Sequence, residues 1–218
     1  MARPRSDIHL RIVRAARARF LAEGVDGASL RNIATDAGTN VGMVFYYFPT
    51  KDDLLLAVVE EVYASLLTDL GGILSVAGST RDRLKRVFVR LGKASEDELA
   101  VVRLVVREAL LSSDRFDRIF ARMQRGHVGM LLDELSRGAR QGEIDPRIAA
   151  PLLLLSTLGL GGLPQLVRRA AGDRPPFASL PGPEALAEMS VELLFRAIGP
   201  RPSRRTGGQR SRGAKPVK

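Results

Sequence analysis

The stretch from Ser29 to Lys51, SLRNIATDAGTNVGMVFYYFPTK, leaves the chain few folds to choose from. Leu30, Ile33, Ala34 and Ala37 recur at i, i+3, i+4 and i+7, which gathers four apolar groups on one face of a short helix. Ser29 stands at its N-cap position, and Gly38 stands where a helix ends in a left-handed turn. A second short helix follows at once. Asn40 can cap it, Val44 and Phe48 lie four apart on its inner side, and Pro49 removes the backbone donor that another turn would need. Two short helices joined across a glycine-containing turn make a helix-turn-helix, whose second helix has the shape to enter a major groove.

The same 3.6-residue period continues on both sides, so the whole chain reads as all-α. Residues 1 to 6 look like a loose basic arm, and Ser6 can cap a first helix in which Ile8, Ile12, Ala16 and Phe20 recur until Glu23-Gly24. Thr50 with Asp53 reads as a capping box opening a long helix, apolar at Leu54, Leu55, Val58, Val59, Val62, Leu66 and Leu70 and stopped at Gly71-Gly72. Ser79 or Thr80 caps the next, which carries Leu84, Val87, Phe88 and Leu91 as far as Gly92. Ser95 with Glu98 opens another; its valines suit a strand, but Leu99, Val102, Val106, Ala109 and Leu110 keep the helical spacing. One long helix is expected from Arg115 to Gly142, with Ile119, Met123, Met130, Leu131 and Leu135 inward. A further helix is expected to start at Asp145-Pro146 and to bend at Gly161, Gly162 and Pro164, and the last to span Glu184 to Ile198.

Composition narrows the class. At 218 residues and 45% hydrophobic, the chain can bury a sizeable core. The formal net charge of +10 points to an anionic partner, but seven basic residues and no acid fall between Pro200 and Lys218, a stretch too polar to fold alone. Without cysteine there is no disulfide framework and no thiolate metal site, which fits the cytoplasm. Asp7 and Arg11 interrupt the N-terminus where a signal peptide needs an apolar run. The longest apolar stretch, Ala149 to Leu163, contains a proline and three glycines and is shorter than the roughly 20 residues that span a bilayer, so it reads as a buried helix and no membrane is expected as a partner.

LRNIATDAG followed by VGMVFYYFPTKDDLL resembles the DNA-binding segment of the tetracycline-repressor-like (TetR) family of bacterial transcriptional regulators. The likeness runs over roughly residues 7 to 60, where the Leu-Ile-Ala-Gly, Tyr-Phe-Pro and Thr-Lys-Asp elements occur together in the family's order. The resemblance implies an N-terminal three-helix helix-turn-helix domain, residues 1–50 with the motif at 29–48, that binds double-stranded operator DNA as part of a homodimer. Behind it a larger helical domain, residues 51–199, would dimerise and bind a small molecule that releases the DNA, and residues 200–218 would form a disordered basic tail. The family's base- and phosphate-contacting positions match Ser29, Leu30, Arg31, Asn40, Val41, Gly42, Met43, Phe45, Tyr46, Tyr47 and Lys51. Val41 and Met43 depart from the family's frequent Lys, Ser or Thr, and Phe45 from its frequent Tyr. A helical wheel sets Val41 and Phe45 beside Val44 and Phe48, so a place in the core instead is open to them.

Side-chain chemistry adds roles to those positions. Tyr46, Tyr47 and Lys51 can bond phosphate oxygens and fix register, Gly42 lets the backbone come close to a duplex, and Met43 can read only shape or a thymine methyl. Little supports catalysis: two histidines, His9 and His127, stand apart, and Asp52/Asp53 and Asp133/Glu134 read as helix-surface acids. No cofactor or metal is expected. A mainly apolar ligand pocket is expected among Phe88, Leu91, Arg103, Arg107, Met123, His127 and Met130, with plain core as the alternative. Residues 149–170 and 184–198, the most apolar helices, are expected to pair between two copies. The reading is a cytoplasmic, ligand-responsive repressor. Its rivals are an architectural DNA-binding protein without sequence preference and a helical ligand-binding protein.

Overall fold

The computed structural model describes residues 7–200; the expected basic arm, its Ser6 cap and the tail from residue 201 onward lie outside the described residues. Among the described residues the regular structure is helical throughout. α1 (Asp7–Gly27) continues past its expected stop, because Gly24, at φ 81°, kinks the helix without ending it and Val25 still buries beyond the kink. α2 (Leu30–Asp36) and α3 (Val41–Tyr47) are joined through Gly38 at φ 63°, the left-handed turn that favours glycine. α4 (Lys51–Ser75) opens on the expected box: the Asp53 amide donates to Thr50 Oγ1 at 3.1 Å and the Thr50 amide to Asp53 Oδ2 at 3.1 Å. It passes straight through Gly71-Gly72, since Leu70 and Leu74 anchor it in the core on both sides of the pair.

α5 (Thr80–Gly92) is capped by Ser79, and α6 (Glu96–Leu111) by the Ser95–Glu98 box. α6 is a helix as its spacing demands, but its buried side is Leu99, Val101, Leu104, Val105 and Glu108, while Val102, Val106 and Leu110 face outward. With apolar residues on more than one face, the spacing alone does not specify which stripe faces in; packing against α1 and α4 does.

The long helix expected over 115–142 is three pieces: α7 (Ser113–Met123), a π-helical segment (Gln124–Val128) and α8 (Gly129–Arg140). Gly126 leaves the helical region at φ −110°, ψ −124°, and Tyr63 of α4 fills the space that a Cβ there would need. The Tyr63 hydroxyl accepts the His127 backbone N–H at 2.9 Å and also bonds His127 Nδ1. Asp145-Pro146 does not open a helix either. Its carboxylate accepts from the Arg147 amide at 3.0 Å and its own amide donates to the Ile198 carbonyl at 2.8 Å, which makes a turn pinned to the end of the last helix.

Helix resumes as α9 (Ala150–Thr157), a π-helical segment (Leu158–Gly162) and α10 (Leu163–Ala171), and ends with α11 (Pro183–Ile198) after a short 3-10 turn at Phe177–Ser179. The run Ala150–Ala171 is 22 residues, long and apolar enough to cross a membrane by length and composition, and 28% of its apolar 18-residue window is buried. It is therefore longer and more exposed than the buried helix expected from the sequence. Its Gln165, however, is fully buried and donates to the Pro183 carbonyl at 2.8 Å, and Arg168 and Arg169 bond the Gly92 and Ala94 carbonyls. Gly161 lies so close to the Phe88 ring that a Cβ there would overlap it.

Two apolar cores result. The upper one joins α1, α2, α3 and the first half of α4 to Val101, Leu104 and Val105 of α6 and Ile119 of α7; the lower one joins Leu70, Leu84, Phe88, Leu131, Leu135, Val191 and Leu194. Leu66 of α4 packs against both, so α4 is the spine that carries the head on the body.

Candidate functional site

α3 is short, and its placement depends on its ends and on α2. Asn40 Oδ1 accepts the Met43 amide at 3.0 Å, which caps the helix as its sequence position suggests, and Val44 and Phe48 sink into the upper core. Ser29 occupies the N-cap position of α2 with extended φ/ψ but makes no side-chain cap bond, so it adds backbone geometry only. α2 is instead held by ion pairing: Asp36 Oδ2 accepts from Arg19 Nε of α1 at 2.6 Å, and this bond keeps the Asp36 carboxyl below the ordinary carboxylate range.

The open question about Val41 and Phe45 divides between them. Val41 packs against the upper core, as do Leu30 and Tyr47, whereas Phe45 is 50% and Tyr46 56% exposed. Gly42 is exposed, Met43 half-buried and Arg31 exposed. The outward surface of α3 thus presents a glycine backbone, a methionine edge and two aromatic rings. Tyr46 and Tyr47 meet edge to face at 5.1 Å, and the Tyr47 ring also stands edge-on to His9 of α1. Lys51 sits just beyond this surface. Its ammonium donates to the Val25 and Asp26 carbonyls at 3.2 and 2.9 Å, a tether to the end of α1 that sequence spacing gave no sign of.

The seven expected ligand residues are not gathered in one place. Phe88, Leu91 and Met130 belong to the lower core and Met123 to the upper one. Arg103 is exposed, Arg107 turns toward α1, and His127 is paired with Tyr63. Burial and the Arg122 guanidinium beside it hold the His127 imidazole below its ordinary pKa of 6.5. A polar groove of about 650 Å³ opens between α1, α4 and the α5–α6 turn, lined by Arg14, Arg17, Glu61, Arg90 and Asp97 among others, and a smaller one of about 150 Å³ lies between α1 and α4 at Val13 and Ala57. None of the seven lines either groove. Among the described residues no three His, Asp or Glu side chains converge to hold a metal ion.

Residues 12–58 match the family of bacterial regulatory proteins described as the tetR family. A stretch of 54 residues is 41% identical to the HTH-type transcriptional repressor NicS of Pseudomonas putida, a match that spans about a quarter of each protein, 25% of this chain and 26% of NicS. Whole-chain likeness is structural. A transcriptional regulator assigned to the TetR family from Mesorhizobium loti superimposes with a TM-score of 0.63 at 25% identity, over 91% of this chain and all of that one. FadR of Bacillus subtilis, solved in complex with stearoyl-CoA, superimposes with a TM-score of 0.67 at 19% identity, over 87% of this chain and 99% of its own. The family match falls on α1 to α4, and residues 12–58 are the segment of this chain that carries the likeness to the tetR family of bacterial regulatory proteins.

Proposed function

We propose that the protein is a homodimeric, sequence-specific DNA-binding regulator that represses transcription and is released from its operator by a small molecule. The observation that carries this reading is the outward face of α3. Phe45 and Tyr46 stay exposed and Gly42 leaves the backbone open, on a helix capped and propped for presentation rather than burial. A merely solvated helix would carry Lys, Glu and Gln there. Residues 1–50 form the DNA-binding unit in this reading and residues 51–199 the ligand-binding and dimerisation unit. Ser29, Leu30, Arg31, Asn40, Gly42, Met43, Phe45, Tyr46, Tyr47 and Lys51 supply the DNA surface, and Val41 supports it from the core side.

Two exposed apolar stripes support the dimer. Leu152, Leu155, Leu160 and Leu163 on the α9–α10 run and Met189 and Leu193 on α11 remain uncovered within one chain. Two copies meeting on these stripes would make a four-helix contact. A small acyl or other amphipathic molecule fits the ligand role by analogy with FadR, which binds stearoyl-CoA. The test is a mobility-shift titration with the DNA upstream of the protein's own coding region against random DNA of equal length at near-physiological salt. Preference for the upstream DNA by at least about a thousandfold is expected of a specific regulator, and equal affinity would establish the architectural alternative instead.

A further inference from the structure

Three cations from three different helices converge on the C-terminal end of α1. Lys51 of α4 donates to the Val25 and Asp26 carbonyls. Arg107 of α6 donates through Nη2 to the Phe20 carbonyl at 3.2 Å, reaching it over Gly24, where a Cβ would collide with the guanidinium. Arg115 of α7 bonds both carboxylate oxygens of Asp26, at 3.1 Å from Nη1 to Oδ2, and Asp52 Oδ1 at the start of α4 at 3.0 Å. A helix C-terminus carries partial negative charge on its carbonyls, which draws Lys51, while Arg115 is held there by the Asp26 carboxylate.

What makes the cluster more than surface pairing is its footing. Arg115 is 12% exposed and also donates from Nη1 to Glu108 Oε2 at 2.8 Å, and Glu108 is only 2% exposed. Arg107 reaches the other Glu108 oxygen, with Nε at 3.3 Å from Oε1. Glu108 and Arg115 flank the one-residue joint between α6 and α7. There the Ser112 amide donates to the Glu108 carbonyl at 3.0 Å and the Arg115 amide to Ser112 Oγ at 3.4 Å. The buried carboxylate therefore braces the joint from inside while the two arginines reach from it to the head. Only Ala28 and Ser29 separate the end of α1 from the start of α2, so a displacement of the clasped end is passed to α2 and α3 with almost no chain to absorb it.

We infer that Arg107 and Arg115, seated on buried Glu108, form a clasp by which the α6–α7 joint fixes the position of the helix-turn-helix, and that they are positioning residues for DNA binding although neither lies on the α3 surface. The regulatory half of this inference rests on the head binding DNA as proposed above; the mechanical half does not.

Hydrogen exchange on the full chain without DNA tests the mechanical half. In Arg107→Met/Arg115→Met/Glu108→Gln, which leaves no unpaired buried charge, the amides of residues 20–30 and 50–54 are expected to exchange about tenfold faster while those of 84–88 and 131–135 keep their rates. Asp26→Asn/Asp52→Asn, changed only at the outer partners, is the variant to use if the triple does not fold, with about threefold faster exchange expected over the same head segments. Unchanged exchange at the end of α1, or equal acceleration in the lower core, would overturn the clasp. Operator titration tests the coupling: affinity is expected to fall about fivefold or more in the triple variant at the wild-type dimer fraction, as the head spends less time in its working position. Unchanged or tighter binding would overturn the coupling. A wild-type protein that binds no DNA would instead overturn the proposed function and leave the exchange result to decide the clasp.

Discussion

Arg83 and Glu134 are buried in the lower core, joined by Arg83 Nε and Nη2 to Glu134 Oε1 at 2.9 and 2.8 Å. Removing one member strands the other charge in the interior, so Glu134→Ala is expected to cost about 3–5 kcal/mol in chemical denaturation, whereas Arg83→Met with Glu134→Leu is expected to cost far less or nothing. Spacing placed Glu134 among surface acids; it is buried because α5 comes to lie against α8. His127 offers a second prediction at this scale. Its imidazole is held below its unfolded pKa of 6.5 by burial and by Arg122. The stability due to keeping it neutral is therefore fully present above that value and is lost as the pH falls toward the folded pKa. Thermal melts of the native chain should drop between pH 7 and 5, and His127→Gln should flatten that drop; equal slopes for the two proteins would refute it.

α3 is seven residues long, too short to persist without its cap and its neighbours. Asn40→Ala is expected to lower stability by about 1 kcal/mol and to weaken binding to every DNA sequence, since it loosens the whole reading helix. Met43→Ala acts differently. Its edge sits on the exposed side with no hydrogen-bonding group, so preference at one or two base pairs should relax by about 1 to 3 kcal/mol each, while Lys51→Ala should weaken all sequences alike. Affinities across a library of single-base operator variants separate these profiles, and a Met43→Ala profile identical to the wild type would remove Met43 from the reading surface. The π-helical segments follow a different logic. Each contains a glycine against which a ring from another helix packs where a Cβ would stand, Tyr63 at Gly126 and Phe88 at Gly161.

On the scale of the whole molecule, the proposed dimer would give the exposed apolar stripes and the one α3 per chain a common explanation. A lone α3 spans too few base pairs to be selective, and in the proposed dimer two copies meeting on α9–α11 would present two. Leu155 is 65% and Leu193 55% exposed, so Leu155→Glu with Leu193→Glu should leave each chain folded but separate the copies. Sedimentation at micromolar concentration is expected to give a monomer for this variant and a dimer for the native chain, with operator affinity lost together with the dimer. A native chain that sediments as a monomer would refute the arrangement.

By itself the sequence determined the helical class, the helix-turn-helix with its Asn40 cap and Gly38 turn, and the capping boxes at Thr50 and Ser95, because each of these depends on residues within about four positions of one another. Tertiary structure alone decided the rest. Packing on α1 and α4 turned α6 so that Val102 and Val106 face outward, and the break at Gly126 lies where Tyr63 of α4 packs against the chain. Gly71-Gly72 stayed helical because Leu70 and Leu74 hold α4 in the core. The clasp on α1 joins Arg107 to Phe20 and Arg115 to Asp26, pairs 87 and 89 residues apart. A local pattern carries no record of such pairings, since they exist only once the helices that bear them have packed.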